Sequence, residues 1–280
     1  MTSASVKKAK KDIISFFYDE DRQHWIYKYG NNVHSNVSGN NVFYLSQLRV
    51  LFEEKSFHWN TGYALNELVD EGQLINWKEK SQKIDNASVQ LSLYRRPDTR
   101  YYKKNTKILF DCVKFFTENF NKACGKWAEF LTEHFFLLNG FKIIDKHTNS
   151  FNGNFWKNTD HNLDLIVTKD ELNYGIEVKN RFEYIGKKEF RIKMYDMCSY
   201  LDLIPVCVSR FAPYFTMSEL GGNGGRILIF KRKVFPFGFE QQAKKIWEST
   251  LLPIRCYDRL SEKSEYQFIK WHNQNVKNYH

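Results

Sequence analysis

The chain lacks any run of about 18 or more apolar residues, which argues against a membrane span, and its N-terminus lacks the apolar stretch of a secretory signal. A non-membrane, cytoplasmic protein is expected. It also lacks a disulfide framework. Its five cysteines, at 112, 124, 198, 207 and 256, are an odd number without close pairing, so neither bridges nor a zinc knuckle is indicated, and they read as reduced packing residues. The Gly-rich run Gly221-Gly-Asn-Gly-Gly225 has no Lys-Ser or Lys-Thr after it, which excludes a phosphate loop and leaves a turn.

Positive charge and aromatic rings, in contrast, are plentiful. The formal net charge is +10 and 17% of the residues are Phe, Tyr or Trp. Clustered Lys and Arg release counterions from phosphates, so a polyanion is one natural partner, although a basic solvated surface has the same composition. With 42% hydrophobic content, 280 residues are enough chain for two modest domains.

The first third reads as helices followed by a hairpin. Residues 6–11 form a basic leader into Ile13, Ile14, Phe16 and Phe17, a short amphipathic helix, and the Asn, Gly and Ser of residues 30–41 favour a loop. Two helices are expected over 47–53, capped by Ser46, and over 62–70, capped by Asn60 or Thr61 and stopped by Gly72. Strands over 74–79 and 88–94 follow, joined by a polar loop over 80–86. Helix, helix and a two-stranded wing resemble a winged-helix domain. The second helix would then present Asn60, Thr61, Tyr63 and Asn66 to DNA, while Lys78, Lys80, Lys83, Arg95 and Arg96 would hold phosphates. A helical hairpin that merely packs on the rest of the chain accounts for the same pattern. Residues 97–104, Pro-Asp-Thr-Arg-Tyr-Tyr-Lys-Lys, are the expected boundary between a domain over 1–104 and another over 105–280.

After a long helix over 106–120, the elements alternate: a helix over 126–138, strands over 141–145, 163–168 and 174–179, a helix over 188–201 and a strand over 205–209. Beyond Phe215, a strand over 226–231, a helix over 241–250 and an amphipathic tail over 266–271 complete the chain. In the strand Tyr-Gly-Ile-Glu-Val-Lys, Ile176 and Val178 can enter a core while Glu177 and Lys179 share the other face. A hairpin turn over 169–173 can bring Asp164 beside Glu177 on adjacent strands.

Asp164, then Glu177-Val178-Lys179, with Glu129 on the preceding helix, resembles the PD-(D/E)XK nuclease superfamily of restriction endonucleases and junction resolvases. The run Gly-Lys-Trp-Ala-Glu-Phe-Leu from Gly125 and the step Leu138-Asn-Gly-Phe141 look like that superfamily's opening helix and its entry into the first strand. The similarity covers about residues 106–215, and Leu163 stands where the pattern often has proline. It implies an α/β restriction-endonuclease-like core, a mixed sheet flanked by helices, behind the winged-helix domain. It also implies a Mg²⁺-dependent deoxyribonuclease, with Mn²⁺ able to substitute. Asp164, Glu177 and the Val178 carbonyl would hold the metal, Lys179 would orient the attacking water and Glu129 would support the site, because hard cations prefer oxygen ligands.

Arg181, Lys187, Lys188, Arg191 and Lys193 would line a phosphate track, and Lys193 and Tyr200 are candidates for a fourth motif on that helix. Asp160 and His161 stand close before Asp164 in a polar loop that also reads as ordinary surface. The expected function is cleavage of double-stranded DNA by a type II-like restriction enzyme, modification-dependent in one form, acting as a homodimer because two strands need two sites. A structure-selective repair nuclease or junction resolvase is the alternative, and a catalytically inactive DNA-binding protein on the same scaffold a second one.

Overall fold

The structure, a computed structural model, describes residues 3–18, 41–84, 87–181, 186–230, 233–250, 254–256, 260 and 262–279. Its backbone forms two compact units, Met1–Lys122 with Gly238–Cys256 and Ala123–Phe237 with Tyr257–His280. The division thus falls at Lys122 instead of the expected 104, and a later segment returns to each unit. Composition marks a linker only where the chain is free of packing. Residues 97–104 run directly into the helix that begins at Tyr102.

In the first unit, α1 (Ala4–Tyr18) buries Val6, Ala9, Ile13, Phe16 and Phe17 on one face. A short strand β1 (Phe43–Tyr44) leads into α2 (Leu45–Leu51), whose first turn is closed by the buried Gln47 side chain accepting the Tyr44 backbone N–H at 3.0 Å. The expected cap at Ser46 is therefore corrected to Tyr44. Next, α3 (His58–Asp70) starts four residues earlier than the capping pattern suggested, with Phe57 at its N-cap, so Asn60 and Thr61 lie inside the first turn. Gly72 ends this helix region with φ 71°, as a left-handed glycine should. The strand β2 (Ile75–Ile84) continues well beyond its expected end at 79, and β3 (Ala87–Arg95) lies within one residue of its expected bounds, with Lys83 paired to Ser88 and Ile84 to Ala87 around an irregularity after Lys80. A strand needs a pairing partner more than an apolar sequence, and the polar stretch supplies one. With β1 added on the other side of β3, the sheet order is β1-β3-β2. α4 (Tyr102–Asn119) belongs to this unit too. Of the loop expected over 30–41, all but residue 41 lies outside the described residues.

The second unit is mixed α/β. α5 (Asn121–Leu138) leads through Gly140, φ 75°, into β4 (Lys142–Thr148). A small hairpin, β5 (Ser150–Phe151) and β6 (Asn154–Phe155), precedes β7 (Leu163–Lys169) and β8 (Leu172–Lys179). The helix after them is α6 (Lys187–Arg191), a π-helical stretch Ile192–Met197, and a last turn α7 (Cys198–Tyr200). β9 (Ile204–Ser209), α8 (Tyr214–Gly222) and β10 (Arg226–Ile229) follow, then α9 (Glu240–Thr250), which returns to the first unit, and α10 (Glu262–Tyr279). The sheet order is β10-β9-β8-β7-β4, antiparallel from β4 to β8 and parallel from β8 to β10.

Side chains from the two faces of this sheet enter two separate apolar clusters. Ile176, Val178, Val206 and Val208 join Phe135, Phe136 and Phe268 of α5 and α10 on one face. Ile166 and Cys207 join Phe190, Met194, Met197 and Cys198 of the π-containing helix on the other. β8 is therefore covered on both sides, as a central strand in a partly parallel sheet should be. Gly175 lets that helix come close: a Cβ there would lie 2.9 Å from Cys198 Sγ and from Leu163 Cδ1.

Candidate active site

The β7–β8 hairpin has a closed end and an open end. Its turn is only Asp170 and Glu171, both at positive φ, between the paired Lys169 and Leu172, shorter than the expected 169–173. The ladder runs from there to the pair Leu165 and Ile176, and both strands continue past it. One more step in that register sets Asp164 opposite Glu177. The strands are bridged there by a side chain, the Val178 N–H donating to Asp164 Oδ2 at 2.6 Å.

Glu177 is 2% exposed, among the most buried charged residues described. It stands beside Cys207 in the register with β9, on the face covered by the helix. Two ammonium groups meet it. Lys193 Nζ donates to both of its oxygens at 2.8 Å, and Lys179 Nζ bonds its Oε1. Lys179 also reaches Glu189 Oε1 at 3.1 Å. The π-helical stretch accounts for Lys193: its wider turn puts a lysine on the sheet-facing side next to Met194, where both are buried.

The electrostatics follow from burial. Loss of water raises the Glu177 carboxyl above its ordinary range, and the neighbouring Asp164 charge adds to this against the two lysines. Asp164 is raised as well, first by burial, with the Val178 N–H and the lysines opposing and Glu129 reinforcing. Burial by itself would lower the Lys179 ammonium, but Glu177, Glu189 and Asp164 outweigh it and its pKa is pushed up to about 12. Burial raises the Glu189 carboxyl, yet Lys179 and Lys193 bring it below its ordinary value. Three carboxylates, of Asp164, Glu177 and Glu189, stand with the two ammonium groups, and Glu129 acts on Asp164 from its place beside His147. The exposed Arg181 guanidinium acts on Glu189 from solvent.

The other predicted residues scatter. Glu129 on α5 is half-buried, 3.9 Å from His147 Nε2. Val178 turns its side chain into the apolar cluster. Asp160 is exposed and His161 half-buried in the loop before β7. Arg181, Lys187, Lys188 and Arg191 are exposed. Tyr200 lies against Trp156, ring centroids 5.7 Å apart, whereas its fellow candidate Lys193 lies on Glu177.

In the first unit Thr61 is fully buried, so its expected place against DNA is corrected: it belongs to the inward face of α3 with Ala64, Leu65 and Leu68. Asn60 is half-buried, and Tyr63, Asn66 and Lys78 are exposed. Arg95 donates to the carbonyls of Arg96 and Pro97 and covers the Tyr102 ring, and Arg96 bonds Asp98. The side chains of Lys80 and Lys83 lie outside what the structure describes.

Sequence reasoning missed Glu189. Its signal was available as Glu189 and Lys193, four apart and on one helix face. Also missed was a network at the closed end of the hairpin. A carboxylate only accepts, so His272 Nε2–H donates to Asp170 Oδ2 at 3.0 Å, and Nδ1 accepts the Tyr174 hydroxyl at 2.7 Å. Its members are 98 and 102 residues apart along the chain, a separation no local pattern signals.

Among the described residues, no three His, Cys, Asp or Glu side chains already converge to hold a metal ion, and no helix is long and apolar enough to cross a membrane. No family model, no curated protein and no solved structure matches this chain.

Proposed function

We propose that the second unit is a metal-dependent phosphodiester hydrolase on a restriction-endonuclease-like core, and that its substrate is DNA. One observation carries this reading: the buried Glu177 carboxylate and the half-buried Asp164 carboxylate, opposed at the open end of a hairpin, with Lys179 on the same strand as Glu177. Apposed carboxylates repel unless a cation neutralises them, and the hard oxygen donors suit a divalent one. Asp164 and Glu177 would hold Mg²⁺ or Mn²⁺, which when bound polarises a phosphate and lowers the pKa of water. Lys179 then places its ammonium where negative charge develops on the phosphate, and the exposed Arg181, Lys187, Lys188 and Arg191 screen the approaching backbone. The first unit, with Tyr63, Asn66 and Lys78 exposed, would engage the duplex as a winged helix, and a homodimer would cut both strands.

The test is incubation of methylated and unmethylated plasmid and phage DNA with Mg²⁺ or Mn²⁺, using the wild type, Asp164→Ala and Lys179→Ala. Discrete fragments that disappear in both variants are expected for a restriction enzyme. Preferential cutting of a four-way junction over random linear duplex would assign the site to a structure-selective nuclease instead. A second reading has its own support, because Lys193 occupies both Glu177 oxygens that a metal would use. On that reading the scaffold binds DNA without cutting it. Heat on titrating Mn²⁺ into the intact protein, absent in Asp164→Ala, would count against it.

A further inference from the structure

The β5–β6 hairpin and the last turn of the π-containing helix enclose a second feature that the hydrolytic site does not use. It is a cleft of about 380 Å³ lined by Gly153, Asn154, Phe155, Trp156, Lys157, Asn158 and Tyr200. The volume is that of a small-ligand site, far below that of a macromolecular groove. Its chemistry is specific. Phe155 and Tyr200 are 49% and 51% exposed, large rings that line the cleft together with Trp156, itself 5% exposed. Two carboxamides, of Asn154 and Asn158, offer donors and acceptors at the rim, and Lys157 adds a positive charge.

The walls are also fixed in place. The hairpin turns at Asn152 and Gly153, both at positive φ. Its far end is tied by the Trp156 N–H to the Asn149 carbonyl at 2.8 Å, and by the Asn149 side-chain amide to the Trp156 carbonyl at 3.2 Å. The indole N–H donates to Thr159 Oγ1 at 3.0 Å, which holds the Trp156 ring edge-on to Tyr200. Trp156 is rooted in the same apolar cluster as Leu163, the residue before Asp164, and as Met194 and Cys198 of the helix that carries Lys193. Trp156 and the helix that carries Lys193 thus share one side of the sheet, the side toward which Glu177 points.

We propose that this cleft receives one unstacked nucleobase next to the scissile phosphate, so that the substrate carries an unpaired or extruded nucleotide at the cut. Flat rings exposed beside a buried indole stack on a base face, the carboxamides read its edge, and Lys157 meets the adjoining phosphate. A paired base cannot reach such a site without leaving its stack, so a mismatch, gap, branch or single strand is bound at lower cost than a perfect duplex. The inference rests on reading Asp164 and Glu177 as the hydrolytic site, from which it takes the identity of the ligand.

The full-length protein, with Ca²⁺ present, is titrated into a duplex holding one unpaired 2-aminopurine and into its fully paired counterpart. Emission reports stacking and anisotropy reports affinity. The wild type should quench the unpaired probe and bind that duplex more tightly. Tyr200→Ala and Phe155→Ala should lose the quenching and weaken binding by about fivefold to a hundredfold, and Tyr200→Phe should retain both. Circular dichroism checks folding; should Tyr200→Ala misfold, the half-exposed Phe155→Ala decides. Unchanged emission and affinity in a folded Phe155→Ala would overturn the cleft, even with cleavage lost in Asp164→Ala. Quenching that needs Tyr200, in a protein that cuts no DNA under Mg²⁺ or Mn²⁺, would instead support the cleft and sink the hydrolase reading.

Discussion

The two ends of the β7–β8 hairpin both bury polar groups, and they do so in opposite ways. At the closed end the hydroxyl of Tyr174, both nitrogens of His272 and the carboxylate of Asp170 satisfy one another in a chain with one donor for each acceptor. At the open end the backbone ladder stops, a side chain takes the Val178 N–H, and the Glu177 carboxylate is shared by two ammonium groups. Two ammonium groups gathered on one buried carboxylate are more than a stabilising lock requires, because charges kept out of water are costly. The closed end is a lock between the hairpin and α10, and the open end holds the charged groups on which the proposed hydrolytic site rests.

The largest effect expected from breaking this comparison is at Glu177. Glu177→Ala leaves Lys193 and Lys179 without their shared counter-ion, and removing one partner of a buried ion pair costs about 3–5 kcal/mol. Urea denaturation should show that loss together with loss of cleavage. Between the two ends stands Gly175. Gly175→Ala pushes a methyl against Cys198 Sγ and Leu163 Cδ1, an overpacking that should cost about 1–3 kcal/mol. It should also shift Lys193 off Glu177, so activity should fall further than the melting temperature alone explains.

At the closed end, Tyr174→Phe removes the donor to His272 and should cost about 1–2 kcal/mol in thermal unfolding. Cleavage at a temperature where both proteins are folded should be unchanged. A loss of activity there would show that the two ends are coupled, and the contrast between lock and site would fail.

How far the chain announces all this differs from part to part. Glu177 and Lys179 on one face, Ile176 and Val178 on the other, follow from the alternation of a strand, which depends on no distant residue. The hairpin was legible for the same reason, although its turn was not. Two non-glycine residues at positive φ are an unusual choice, and Asp170 is held there by a histidine about a hundred residues away. Lys193 was visible only as one lysine among several, because its inward position depends on a π-helical turn that 3.6-residue periodicity does not register. Thr61 shows the opposite failure. A good capping residue predicts a helix start there, but the stacked Phe57 and Trp59 and the buried His58 carry the helix one turn further back.

The smallest expected effect measures how far burial outweighs the two lysines at Asp164. Burial raises the Asp164 carboxyl above its ordinary value of 3.8, so over the interval above that value the folded protein holds a proton that the unfolded chain has released. Stability contributed by this group is therefore greatest at low pH, declines as pH rises through the interval, and levels off once the folded carboxyl is ionised. The slope for one proton is at most about 1.4 kcal/mol per pH unit. Asn at this position still accepts the Val178 N–H but carries no charge, so Asp164→Asn should be flatter than the wild type over that interval and more stable at neutral pH, while cutting nothing. Urea midpoints measured across pH 4–7 for the two proteins give the difference. A wild type that grows more stable than the variant as pH rises would mean that the lysines already neutralise the open end, and that no cation is wanted there.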